Sequence, residues 1–133
     1  MIFFDTSAMI ALADRKDKNH ERAVRFFREA VRKTRFVLAK HVLIEYIDGV
    51  TKRVGKEEAV KELKNILNSK LIVIQRDRPK DWNKAIEYFF RYSDREIDLT
   101  DCLSFAMMER LRLKEVFTFD SDFRIHGFKV VPG

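Results

Sequence analysis

Apolar positions along this chain switch between two periods. Five short runs place β-branched or aromatic residues on nearly consecutive positions: Ile2-Phe3-Phe4, Phe36-Val37-Leu38, Leu71-Ile72-Val73-Ile74, Val116-Phe117-Thr118-Phe119 and Phe128-Lys129-Val130-Val131. Runs of that length and composition predict buried strands. Between them the apolar residues recur every three or four positions, as in Ala23, Val24, Phe27, Ala30, Val31 and in Ala59, Val60, Leu63, Ile66, Leu67. That spacing is the stripe of an amphipathic helix. A further helix is expected from about Asp81 to Tyr92, with Trp82, Ala85, Ile86, Phe89 and Phe90 on its apolar side. Another begins near Thr100, where Cys102, Leu103, Phe105, Ala106, Met107, Met108 and Leu111 leave little polar surface, so this helix should be the most buried.

Strands alternating with helices of this length predict a mostly parallel sheet joined by right-handed crossovers, with helices on both faces. The expected fold is therefore a three-layer α/β/α sandwich around four to five strands. The four Gly and two Pro are scattered, and no repeat, low-complexity stretch or linker interrupts the pattern, which reads as one domain over residues 1–133.

Composition adds bounds to this picture. A chain of 133 residues matches one ordinary domain, and at 36% charged residues its surface should be densely ionic. A single glutamine, Gln75, beside abundant Lys, Arg and Glu leans toward the composition of heat-adapted proteins. The lone Cys102 excludes an internal disulfide and reads as a small buried thiol in the apolar helix. The N-terminus lacks the basic and long apolar regions of a leader, and no apolar run approaches membrane-spanning length, so a cytoplasmic protein with no membrane partner is expected. The net charge of +6 suits a polyanion, nucleic acid first, although a lysine-rich surface can be basic without one.

In an open α/β sheet, ligands sit outside the carboxyl ends of the strands, so acids that follow strands take precedence. Asp5 follows Ile2-Phe3-Phe4 and Asp120 follows Val116-Phe117-Thr118-Phe119, each with hydroxyls beside it: Thr6 and Ser7, Thr118 and Ser121. Asp101 stands at the start of the buried helix, which Thr100 or Asp98 would cap. Glu45 sits among His41, Val42, Leu43, Ile44, Tyr46 and Ile47, an apolar setting in which an uncompensated carboxylate costs several kcal/mol and a bound cation would compensate it. Singly, each acid has a plainer account. Asp5 could be an N-cap, Asp101 a first-turn acid, Glu45 a partner of Lys40 or Arg53, and Asp120 or Asp122 an Asx-turn residue. Four such coincidences on one sheet edge favour a site. An all-oxygen set selects a hard cation such as Mg2+, whereas His20, His41, His126 and one cysteine offer no zinc cage.

As a set, in order and spacing, these residues resemble the PIN domains, especially the VapC-like toxins of toxin–antitoxin pairs. The resemblance spans the chain and rests on Ile2-Phe3-Phe4-Asp5-Thr6-Ser7-Ala8, Glu45, Leu99-Thr100-Asp101-Cys102 and Thr118-Phe119-Asp120-Ser121-Asp122-Phe123. It implies that Asp5, Glu45, Asp101 and Asp120 are catalytic metal ligands, with Asp122 auxiliary and Thr6, Ser7 and Thr118 in support. Asp98 would cap its helix or, alternatively, reach the edge of the pocket. The resemblance further implies one or two Mg2+ or Mn2+ ions, RNA as substrate, a cognate antitoxin and a homodimer. Arg15, Lys16 and Lys18, with the helix face bearing Arg22, Arg25, Arg28 and Arg32, are candidates for holding the RNA backbone, or form a solvated surface.

Other readings remain open at this stage. Phosphoryl transfer to an aspartate, as in haloacid dehalogenases or response-regulator receivers, would use Asp5 and Thr118. The dehalogenases, however, carry a second acid where this chain has Ser7, and a receiver needs an aspartate where the third strand ends in Gln75-Arg76. A processing or ribosome-maturation nuclease of the same fold, or a module that grips RNA or protein without cutting, are the remaining alternatives.

Overall fold

The computed structural model describes residues 1–133. In chain order the elements are β1 (Ile2–Phe4), α1 (Thr6–Ala13), α2 (His20–Ala30), β2 (Phe36–Ala39), α3 (Lys40–Arg53), α4 (Lys56–Asn68), β3 (Ile72–Gln75), α5 (Pro79–Arg91), α6 (Leu99–Arg110), β4 (Glu115–Phe117), α7 (Asp122–His126) and β5 (Lys129–Val131). The strands form one sheet in the order β3-β2-β1-β4-β5, and every pairing is parallel. The connections β1→β2→β3 step outward in one direction, while β3→β4→β5 crosses back and continues in the other. With right-handed crossovers, α1 to α4 then cover one face and α5 to α7 the opposite one, as the three-layer expectation requires. Helix contacts respect this division: α1 packs on α2 and α3, and α3 on α4, whereas α6 packs on α5 and α7.

Alternation along the short strands sorts the core into two halves. Phe4, Phe36 and Phe117 project to the same side, where the Phe4 and Phe117 rings stack at 5.4 Å and α2 adds Phe26 and Phe27. On the other side α6 is buried without interruption from Cys102 to Met108, and Phe105 meets Phe123 and Phe128. A helix that is nearly apolar all round through its middle two turns must be enclosed there, and α6 is the most buried helix, as its sequence implies.

Boundaries shift where hydrogen bonds outrank propensity. The fourth strand, expected to reach Phe119, ends at Phe117 because the N–H groups of Phe119 and Asp120 donate to the Ser7 and Thr118 hydroxyls, 2.9 and 3.0 Å away. The third strand is Ile72–Gln75 rather than Leu71–Ile74, since Gln75 pairs with Ala39 and Leu71 N–H is taken by Ser69. Helix α5 begins two residues before Asp81, with Pro79 in its first turn and Asp81 accepting from Arg78 N–H at 2.8 Å. The short α7 was not anticipated from the sequence; Gly127, at φ 113°, closes it in the left-handed conformation that only glycine adopts cheaply.

Candidate metal centre

The sheet order reverses between β1 and β4, and there the two strands end side by side, Phe4 opposite Phe117. A crevice at such a switch point is where open α/β sheets bind ligands. Asp5 and Thr118 are the next residues along. Asp5 is extended, caps α1 and is 6% exposed. Its Oδ2 accepts from the Thr118 hydroxyl at 2.7 Å and from the Ser7 hydroxyl at 2.9 Å. Because those hydroxyls also accept from the backbone N–H groups of Asp120 and Phe119, two small side chains stitch the β1–α1 turn to the β4–α7 turn.

Asp120 then forms an Asx turn, its Oδ1 accepting from Asp122 N–H at 2.9 Å, which brings both carboxyls to the same place. Asp101 arrives from the other direction, in the first turn of α6, whose N-cap Asp98 accepts from Asp101 N–H at 2.9 Å. One oxygen from each of Asp101, Asp120 and Asp122 lies within 4.8 Å of the others. Two oxygens on opposite sides of one Mg2+ sit ~4.2 Å apart, so three oxygens within 4.8 Å of one another could share one such ion.

Electrostatics gives the cluster its character. Burial, reinforced by Asp5, Asp98, Asp120 and Asp122, pushes the Asp101 carboxyl up to about 9. Burial also raises Asp5 against the lowering pull of Thr118 and Ser7, and burial with Asp120 raises Asp122. None of the ion pairs in the molecule reaches these carboxylates. Crowded carboxyls that no basic side chain pairs, and that hold protons rather than repel one another as anions, fit a divalent hard cation that would take the protons' place, so the residues present suit the Mg2+ or Mn2+ expected from the sequence. A soft-metal site does not fit: burial pushes the Cys102 thiol up to about 11, His20 bonds the Ala11 carbonyl, and His126 bonds Tyr92 and Glu109.

Glu45 stands apart from this cluster. Helix α3 turns Val42, Leu43 and Tyr46 inward and leaves Glu45 exposed, so the expected desolvation cost at Glu45 does not arise. Its Oε1 instead accepts from the Thr6 hydroxyl at 2.6 Å, which ties it to the residue following Asp5 and sets it at the rim. From Thr6 and Glu45 a groove of about 1230 Å3 runs between α1, α3 and α4, and Arg15 and Lys16 line it. Lys18 and Arg25 are exposed. Arg22 lies over the Phe119 ring, 5.6 Å from its centroid, and donates to the Pro132 and Gly133 carbonyls.

The fold and this edge of carboxylates define a class: the chain belongs to the PIN domain family, whose pattern matches residues 2–129. Within it, the chain is 30% identical over 128 residues to the 23S rRNA-specific endonuclease VapC20 of Mycobacterium tuberculosis, covering 96% of this chain and 95% of the relative. The crystal structure of M. tuberculosis VapC20, a sarcin-ricin loop cleaving toxin, superposes with a TM-score of 0.85 at 29% identity, covering 96% of both chains. FitAcB from Neisseria gonorrhoeae, at a TM-score of 0.73 and 18% identity, shares the fold over 98% of this chain and 96% of its own. A toxin–antitoxin complex from Klebsiella pneumoniae shares it at a TM-score of 0.66, 17% identity and the same coverage.

Proposed function

We propose that the chain is a divalent-metal-dependent endoribonuclease that hydrolyses RNA phosphodiester bonds, and that it serves as the toxin of a toxin–antitoxin pair. The observation that carries this reading is the crowding of Asp101, Asp120 and Asp122 beside buried Asp5, with no Lys or Arg side chain paired to any of them. Kinship with a relative named as a 23S rRNA-specific endonuclease supports RNA, and ribosomal RNA in particular, as the substrate.

Asp5, Asp101, Asp120 and Asp122 would hold one or two Mg2+ or Mn2+ ions, with Glu45 completing the set from the rim. Such an ion, when bound, supplies a polarised phosphate and a water of lowered pKa. The protein's own side chains do the positioning. Thr118 and Ser7 donate to one oxygen of Asp5 and fix its orientation, while Thr6 holds Glu45 against the same turn. Arg15 and Lys16 on the groove, with Lys18, Arg22 and Arg25 farther along, would track the RNA backbone as sequence-independent phosphate contacts. The groove's mixture of apolar walls and ionic rim suits a polypeptide segment of an antitoxin. No helix is long and apolar enough to cross a membrane. A cytoplasmic homodimer is the working assembly.

The test is cleavage of a mixed RNA ladder and of a 23S rRNA fragment by the purified protein with Mg2+, Mn2+ or EDTA, comparing wild type with Asp5→Asn. Metal-dependent cutting that Asp5→Asn abolishes is the expected result. A folded protein that binds RNA and cuts none of it under either metal overturns the nuclease reading in favour of a binding module.

A further inference from the structure

Two of the acids ride on helices that belong to different layers. Glu45 is on α3 and Asp101 on α6, and the close packing partners of these helices are α4 and α1 for one and α5 and α7 for the other. The distance between the two acids is therefore not set by one helix lying along the other. A single side-chain hydrogen bond joins α3 to α6: His41 Nε2 lies 2.8 Å from Ser104 Oγ.

The placement of that bond is specific. His41 precedes Glu45 by four residues and Ser104 follows Asp101 by three, so the link lies one turn from each acid. Ser104 is 1% exposed, and burial drives the imidazole pKa down to about 4 against the opposing Asp77 carboxylate and Thr100 backbone, so the ring is neutral near pH 7. A hydroxyl can donate or accept, so Ser104 satisfies Nε2 in either tautomer. The other ring nitrogen, Nδ1, is buried and makes no hydrogen bond of normal geometry, although the Thr100 backbone of α6 lies near the ring. An unsatisfied buried polar atom is destabilising, and an apolar pair of the same shape would serve packing better. Stability alone gives no reason for imidazole here.

We propose that His41 is a positioning residue which, through Ser104, sets the spacing between Glu45 and Asp101 across the acidic pocket. This inference rests on the metal-pocket reading. In that role His41 binds neither ion nor RNA; it holds α3 at a fixed register against the first two turns of α6. No other side-chain hydrogen bond links the two helices, and loss of this one leaves Glu45 held at its exposed rim by Thr6 alone.

Mn2+ affinity, read by electron paramagnetic resonance on the intact protein, tests this, with thermal melts in EDTA alongside. His41→Phe keeps an aromatic ring without its nitrogens, and Ser104→Ala is a second lesion that adds no bulk. Each is expected to weaken Mn2+ binding ~10-fold, the low end for groups that orient metal ligands. The double variant should be no worse than either single, because both remove one bond. In a Glu45→Gln background His41→Phe should add no further loss. A lowered melting temperature with unchanged Mn2+ affinity, additive losses in the double variant, or a full effect in the Glu45→Gln background would each overturn the proposal. Wild-type protein that binds no Mn2+ overturns the metal-pocket reading itself, and this inference with it.

Discussion

Removing a carboxylate from the pocket should make the metal-free protein more stable, and the size follows from Asp101. Its folded-state pKa stands near 9 against 3.8 for a free side chain, so at pH 7 the folded protein holds a proton that the unfolded chain releases. A raised acid subtracts stability once the pH exceeds the unfolded value, and the loss grows until the folded value is reached. Across the window from 3.8 to about 9, stability of the apo protein therefore falls as pH rises. The gap between 3.8 and neutral pH, at 1.36 kcal/mol per pH unit, sets an upper bound of ~4 kcal/mol. Water at the pocket mouth and sharing of protons among the neighbouring acids reduce this to ~2 kcal/mol. Asp101→Asn cannot ionise and should recover that amount, or roughly 6–8 °C in melting temperature for a domain of this size. The assay is thermal unfolding in EDTA at pH 5 and pH 8, repeated with excess Mg2+. The increment should be larger at pH 8, and Mg2+ should raise the wild type more than the variant. An Asn variant that melts lower than wild type in EDTA, or by the same margin at both pH values, would refute the picture of a pocket held under electrostatic strain.

Other expectations follow from particular contacts. Glu45→Gln, altering an exposed rim residue, should weaken Mn2+ binding less than Asp101→Asn in side-by-side titrations; equal losses would place Glu45 inside the cluster rather than at its edge. Thr118→Val removes the hydroxyl that donates to Asp5 and accepts from Asp120 N–H, leaving one buried and one part-buried polar group short of a partner. A loss of ~2 kcal/mol by urea unfolding is expected, together with slower RNA cleavage. Asp81 is 3% exposed and pairs with Arg110 at 2.9 Å, so Arg110→Met should destabilise the fold by ~3 kcal/mol while leaving Mn2+ affinity unchanged, since the pair lies at the far end of α6 from Asp101. Arg112 holds a φ of 58° just past the end of α6, a conformation glycine adopts without strain, and Arg112→Gly should stabilise by ~1 kcal/mol in the same unfolding assay.

Much of this architecture could be read from the chain because the signals are local. A run such as Phe36-Val37-Leu38 suits a buried parallel strand, and the stretch from Cys102 to Met108, apolar but for Ser104, suits an enclosed helix. Asp5, Asp101 and Asp120 were legible as site candidates because the chemistry of open α/β sheets puts ligands after strands and at helix starts. The Asp98 cap and the Asp120 Asx turn were likewise foreseeable, since both act over two or three residues.

What lay beyond the sequence involves partners far apart along the chain. Glu45 looked buried because its sequence neighbours are apolar, but side-chain direction on a helix depends on which face meets the sheet, and the fold turns Glu45 outward onto Thr6, 39 residues away. The register that sets Thr118 against Asp5, and the hydroxyl network that cuts β4 short, likewise appear only when β1 and β4 are neighbours. His41 and Ser104 carried no signal separately; their meaning is a distance between two layers. The sequence thus determined most of the elements that form, α7 excepted, and which acids are available, because periodicity and turn chemistry are short-range properties. The tertiary structure alone decided how close those acids stand and how strongly they repel, because repulsion depends on distance through space and on the water that burial removes.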